Sequence, residues 1–216
     1  DQTTGGIISH AGVAITFGLI VLAMIHTVGD VSGAHLNPAV TLGFFAAGRF
    51  NAALVLPYLV SQSLGAIAAS ATLRGLFPEN ERLGLTTPAG PVLQTFVLEV
   101  ILTFILMWVI LSVSTGAKEK GIIAGIAIGS VVALEAMFAG PITGASMNPA
   151  RSLGPALISG RFEHLWIYVS APFIGAILAV LLCRCVRDDE CCTFPFQRPS
   201  GSRSNHGPAA DGRRAR

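Results

Sequence analysis

Asn-Pro-Ala occurs twice, at Asn37-Pro38-Ala39 and Asn148-Pro149-Ala150, 111 residues apart in a chain of 216. The surroundings repeat as well. Residues 28–36 lead into the first copy, 139–147 lead into the second, and both continue with Leu-Gly, at Leu42-Gly43 and Leu153-Gly154. Whatever the first copy builds, the second builds again, so the chain folds as two related halves.

Composition decides the solvent those halves face. The chain is 52% hydrophobic and 12% charged, against about 25% charged in a soluble domain. Five segments, 7–28, 52–73, 92–113, 121–139 and 165–186, are apolar enough to span a bilayer, which takes roughly 20 residues. Their only charges are Glu99, Glu135 and, at the last end, Arg184. Two pieces, 37–48 and 148–159, are too short to cross alone and read as re-entrant half-helices. The expected fold is an all-α membrane bundle built as an inverted repeat.

Shifting by 111 lays span 7–28 on 121–139. An offset of 110 lays 52–73 on 165–186, matching Tyr58 to Tyr168 and Gly65-Ala66-Ile67 to Gly175-Ala176-Ile177. The span carrying Glu99 has no partner, because its copy would fall before residue 1. The expectation is a three-plus-three repeat from which the first helix is missing.

Lys118, Lys120, Arg49, Arg184 and Arg187 fall on one side of such a bundle, which is then cytoplasmic. The loop at 74–90 lies outside, its Arg74 and Arg82 balanced by Glu79 and Glu81. Residues 1–187 form the expected channel domain. Residues 188–216, rich in Pro, Gly, Ser and Arg, form a disordered cytoplasmic tail. The net charge of +2 is small and suggests no nucleic-acid partner. Cys183, Cys185, Cys191 and Cys192 cluster at the end of the last span. Their spacing matches no zinc site; they read as untasked cytosolic thiols, with a soft metal, an arsenic species or palmitate as the alternatives.

Each Asn-Pro-Ala should start a helix. Proline at the first helical position loses nothing by lacking an N–H, and asparagine before it can cap the terminus. Two such starts meeting near the midplane aim two positive dipole ends at one spot. That spot repels cations and orients a neutral molecule. Irregular backbone is tolerated there only where it lines a cavity or is buried in protein.

At these residues the chain resembles the major intrinsic protein family, the aquaporins and glycerol facilitators. Residues 32–41 and 144–152 look like its two signature loops, and residues 140–157 look most like the nodulin-like intrinsic proteins and their bacterial relatives. The resemblance covers residues 6–183. It implies six spanning helices plus two half-helices per protomer, a homotetramer with one pore in each protomer, no cofactor and no catalysis. It also assigns four positions of an outer constriction: Phe17, Ala136, Ala145 and Arg151. Strict water channels resemble one another in having His where this chain has Ala136, so a wider and more apolar constriction is expected. Ser152 and Ala156 resemble the aquaporin and nodulin-like pattern instead of the glycerol-facilitator one. Glu99 resembles a glutamate that braces the second loop, and His35 a pore-lining histidine. Asp30 stands where relatives often carry His. Glu135 either lines the outer pore or bonds a loop. His10, His26 and His164 read as interfacial or packing residues.

The implied function is a passive, multi-pass channel for water and small uncharged solutes, with glycerol, urea or metalloid hydroxides as candidates. A dedicated glycerol or metalloid facilitator with low water flux is the first rival. A secondary transporter is the second, since inverted repeats with broken helices occur there too; Glu99 and Glu135 are not repeat-related, which weakens it.

Overall fold

The computed structural model describes residues 5–114 and 118–186, with the side chains of 118–122 left aside. The described residues form seven helices: α1 (Ser9–Ser32), α2 (Pro38–Ala46), α3 (Ala52–Leu76), α4 (Val92–Val113), α5 (Lys118–Thr143), α6 (Pro149–Ser159) and α7 (Leu165–Val186). Five are long and apolar enough to cross a membrane. The other two, α2 and α6, have 9 and 11 residues and follow the two Asn-Pro pairs directly.

The repeat is visible in the packing. Helix α1 lies against α5, and their backbones meet closely at Gly18 and Gly129, residues 111 apart. A Cβ on Gly18 would stand 2.3 Å from the Gly129 carbonyl oxygen, and one on Gly129 2.6 Å from that of Gly18. Only glycine lets the two backbones meet at this depth. Each half-helix rests on the long helix of the other half: α6 on α3 and α2 on α7. Helix α4 packs on both α7 and α5 of its own half. Its inner face, with Leu102, Met107 and Leu111 fully buried, forms the core together with Ala176, Ala179 and Val180 of α7. Helix α3 instead turns Leu56, Leu64 and Leu73 outward, as lipid or a neighbouring apolar surface requires.

Among the boundaries that differ from the sequence reading, two differ together. Helices α1 and α5 each run four residues past the expected ends at Val28 and Ala139, to Ser32 and Thr143. These last turns hold Gly, Asp, Ser and Thr and leave the apolar stretch, yet they stay helical because a tyrosine holds each end. Tyr58 Oη donates to the Ser32 carbonyl (3.1 Å) and Tyr168 Oη to the Thr143 carbonyl (2.6 Å). Pro141 sits inside the last turn of α5 without ending it. The cytoplasmic tail expected at 188–216 lies outside the described residues, as do Cys191 and Cys192. Cys183 is buried and disulfide-bonded, so it is not the idle thiol expected; Cys185 is exposed and free.

Candidate functional site

The two loops before the half-helices turn through matched left-handed residues: Gly33 (φ 70°) and Ala34 (49°) in the first, Gly144 (88°) and Ala145 (41°) in the second. Non-glycine residues adopt this conformation at a cost, and the matched pair brings each asparagine to the head of its helix. Asn37 Oδ1 accepts from Ala39 N (2.9 Å). Asn148 Oδ1 accepts from Ala150 N (3.0 Å) and Arg151 N (3.3 Å). The amide nitrogens reach across the repeat. Asn37 Nδ2 donates to the Met147 carbonyl (2.7 Å) and Asn148 Nδ2 to the Leu36 carbonyl (2.9 Å). Leu36 and Met147 are themselves 111 apart. Each amide carries a second N–H, so two donors remain beside two helix N-termini.

Both asparagines line one cavity of about 480 Å³, and Phe17, Ala136, Ala145 and Arg151 line it too. The four residues that the resemblance assigns thus come from α1, α5, the second loop and α6 to line one cavity. Arg151 Cζ stands 5.4 Å from the Phe17 ring centroid, a cation–π distance. Its Nη1 donates to the Gly84 carbonyl at 2.6 Å. Its repeat partner Val40 lines the same cavity, so the fixed cation belongs to one half alone. Away from the asparagines the wall is mostly apolar, with Val21, Val40, Phe44, Leu106, Ile110 and Val132 among its residues.

Glu99 does not line the cavity. It is fully buried behind the second loop. Oε1 accepts from Thr143 Oγ1 (2.7 Å) and Ser146 N (2.9 Å), and Oε2 accepts from Met147 N (2.8 Å). His35 is also off the cavity wall. Its ring stacks on Phe44 at 4.7 Å and 4°, with Phe50 and Tyr58 closing the box, and its carbonyl accepts from Gln62 Nε2. Glu135, next to Ala136, is buried, with no hydrogen-bond partner on either carboxyl oxygen among the described residues, and does not line the cavity.

Sequence reasoning missed four parts of this site. The segment 77–91 folds over the second loop: Thr86 Oγ1 meets Ser152 Oγ at 2.7 Å, Ser152 Oγ meets Ser146 Oγ at 2.6 Å, and Ala89 N donates to the Ile142 carbonyl at 3.0 Å. The contact of Gly84 with Arg151 is made by a backbone oxygen, for which no residue type is a signal. The tyrosine clamps had a signal, since Tyr58 and Tyr168 fall at the repeat offset. His10, read as an interfacial or packing residue, lines the cavity; its signal is its place seven residues before Phe17.

The family model of the major intrinsic proteins matches residues 2–183. The chain is 47% identical over 178 residues to "Aquaporin NIP1-3" of Oryza sativa subsp. japonica, covering 82% of this chain and 62% of that protein. It is 49% identical over 181 residues to "Nodulin-26" of Glycine max, covering 83% and 67%. The chain thus spans a little under or about two thirds of the length of these relatives. Among solved structures it is similar to the aquaglyceroporin from Plasmodium falciparum, with a TM-score of 0.75, 25% identity and 81% of each chain covered.

Proposed function

The chain belongs to the major intrinsic protein family, as a multi-pass membrane protein, and on that premise we propose that it is a passive channel for water and small uncharged solutes. The solute classes are polyols such as glycerol, urea, and metalloid hydroxides. One observation carries the reading: Phe17, Ala136, Ala145 and Arg151 face a single cavity that also holds both half-helix starts. The two dipole ends, two amide donors and one guanidinium repel cations and offer hydrogen bonds to a neutral molecule. With alanine at both 136 and 145, the wall opposite Arg151 is small and apolar, which suits a solute broader than water. The likeness to a structure titled an aquaglyceroporin agrees with this.

In this reading Asn37 and Asn148, with Pro38, Ala39, Pro149 and Ala150, form the central station. Phe17, Ala136, Ala145 and Arg151 select, and Glu99 and His35 hold the loops. No bond is made or broken, and flow follows the gradient. The working form is a homotetramer in the cell membrane, supported by the apolar outer face of α3, with the chain after α7 on the cytoplasmic side, supported by the placement of Lys and Arg. A transporter would need an acid free to bind a coupling ion. Both oxygens of Glu99 are engaged, and Glu135 is off the cavity. The low-flux facilitator draws on the apolar inner wall, which gives single-file water few partners.

The test is reconstitution in vesicles, following shrinkage under sucrose and then re-swelling under glycerol or urea. Entry of either solute is expected. Fast water flow without solute entry sinks the wide-constriction reading, and solute entry with negligible water flow selects the dedicated facilitator. Ala136→His is expected to cut solute flux more than water flux; equal loss of both counts against the assigned position.

A further inference from the structure

His10 stands in the first turn of α1 and reaches across to α5, where its Nε2 lies 2.8 Å from the Met137 carbonyl oxygen. The ring fills the notch over Gly140, where a Cβ would sit 2.6 Å from His10 Cε1. His10 is seven residues, two turns, before Phe17 and so on the same helix face. Gly140 is one turn beyond Ala136. His10 and Gly140 line the same cavity as Phe17, Ala136 and Arg151, and they form its wall on the outer side of the constriction.

The hydrogen bond sets what His10 can offer. A carbonyl only accepts, so Nε2 carries the proton, and Nδ1 of the neutral ring is an acceptor. Among the described residues nothing bonds Nδ1. The four constriction side chains supply no such atom: those of Phe17, Ala136 and Ala145 are apolar, and a guanidinium only donates. Yet every hydroxyl of a polyol or metalloid hydroxide, and every N–H of urea, is a donor that loses its water partner on entering a narrow path. Such a donor, left unpaired, carries a desolvation penalty.

We propose that His10 is a further specificity-determining residue, a fifth position at the outer mouth whose Nδ1 accepts from the entering solute while Arg151 donates to it. The proposal deepens the solute-channel reading and rests on it. Water needs the acceptor less, because it is small enough to keep a neighbouring water as partner.

The experiment compares the full chain, His10→Leu and His10→Gln in vesicles, with water, glycerol and urea permeability measured on each preparation. Loss of one neutral hydrogen bond, about 1 kcal/mol, corresponds to a roughly fivefold fall. His10→Leu is expected to lose about that much glycerol and urea flux with water flux within about twofold of the unaltered chain. His10→Gln, whose amide can donate to Met137 and still present an oxygen, should restore most of the loss. Three results overturn the proposal alone: unchanged solute flux in His10→Leu, water and solute flux falling together, or His10→Gln no better than His10→Leu. An unaltered chain that passes water but neither solute overturns the parent reading and this one with it.

Discussion

At 33–36 and at 144–147 the backbone turns the same way, through Gly33-Ala34 and Gly144-Ala145, and ends on an asparagine that caps a half-helix. The means of holding the turn differ. In the second loop the carboxylate of Glu99 takes the N–H groups of Ser146 and Met147 and the hydroxyl of Thr143. In the first, Leu36 N closes a local turn on the Ala34 carbonyl, Gln62 donates to the His35 carbonyl and to Thr41 Oγ1, and an aromatic box grips the His35 ring. One loop is held by its donors and a buried charge-bearing group; the other by its acceptors and by ring packing. The second loop and α6 also carry Arg151, fixed by Gly84 from the segment folded above. The half that presents the cation is therefore the half held from two sides.

The largest expected effect tests that asymmetry. Glu99→Leu leaves the buried N–H groups of Ser146 and Met147 unpaired, each at about 1–3 kcal/mol, and leaves the Thr143 hydroxyl only its 3.5 Å contact with the Ala139 carbonyl, so a loss of at least ~2 kcal/mol is expected. Gln62→Leu removes one donor group from the first loop and should cost about 1 kcal/mol. Thermal unfolding in detergent, read by circular dichroism, ranks the two. A Gln62 variant as damaged as the Glu99 one breaks the comparison.

The next effect uses glycines at the 110 offset. A Cβ on Gly175 would stand 2.4 Å from the Val100 carbonyl oxygen, whereas one on Gly65 meets nothing within 4 Å. Gly175→Ala should destabilise by about 1–3 kcal/mol as α7 is pushed off α4. Gly65→Ala should be neutral or gain up to about 1 kcal/mol from helix propensity. A large cost at Gly65 in the assembled protein sharpens the picture, since it would place a neighbouring copy on that face of α3.

The smallest effect concerns what the halves share. Tyr58→Phe and Tyr168→Phe each remove one hydrogen bond from a helix end, worth about 1 kcal/mol. Tyr168 is fully buried and Tyr58 only half-buried, so Tyr168→Phe should lower the melting temperature more. The reverse order would mean that the clamp matters more in the first half.

Much of this arrangement was legible before any coordinates. Asn-Pro announces a capped helix start because both residues act locally, within one turn, and both caps stand where the motifs put them. The offset laid α1 on α5 and α3 on α7, and helices keep such register over many residues. Legibility failed where a contact spans the chain. The ends of α1 and α5 were read four residues short, since hydropathy marks where apolar residues stop and a tyrosine 25 or 26 residues later decides where the helix stops. His35 was read as pore-lining from resemblance and lies in an aromatic box, because Phe44, Phe50 and Tyr58 meet it only after α2 and α3 pack. His10 was set aside as interfacial or packing, since its reach to Met137 depends on the approach of α1 to α5.

By itself, then, the sequence determined that the chain folds as two halves in an apolar medium, each with a half-helix started by Asn-Pro-Ala, and that only one half carries an arginine there. These follow from local capping, from apolar length and from repetition. Tertiary structure alone decided that each asparagine bonds the other loop, that Gly84 holds Arg151, and that His35 sits in an aromatic box away from the cavity. Those outcomes depend on groups meeting across more than a hundred residues or across helices, and a backbone carbonyl or N–H is the same in every residue type until packing gives it a partner.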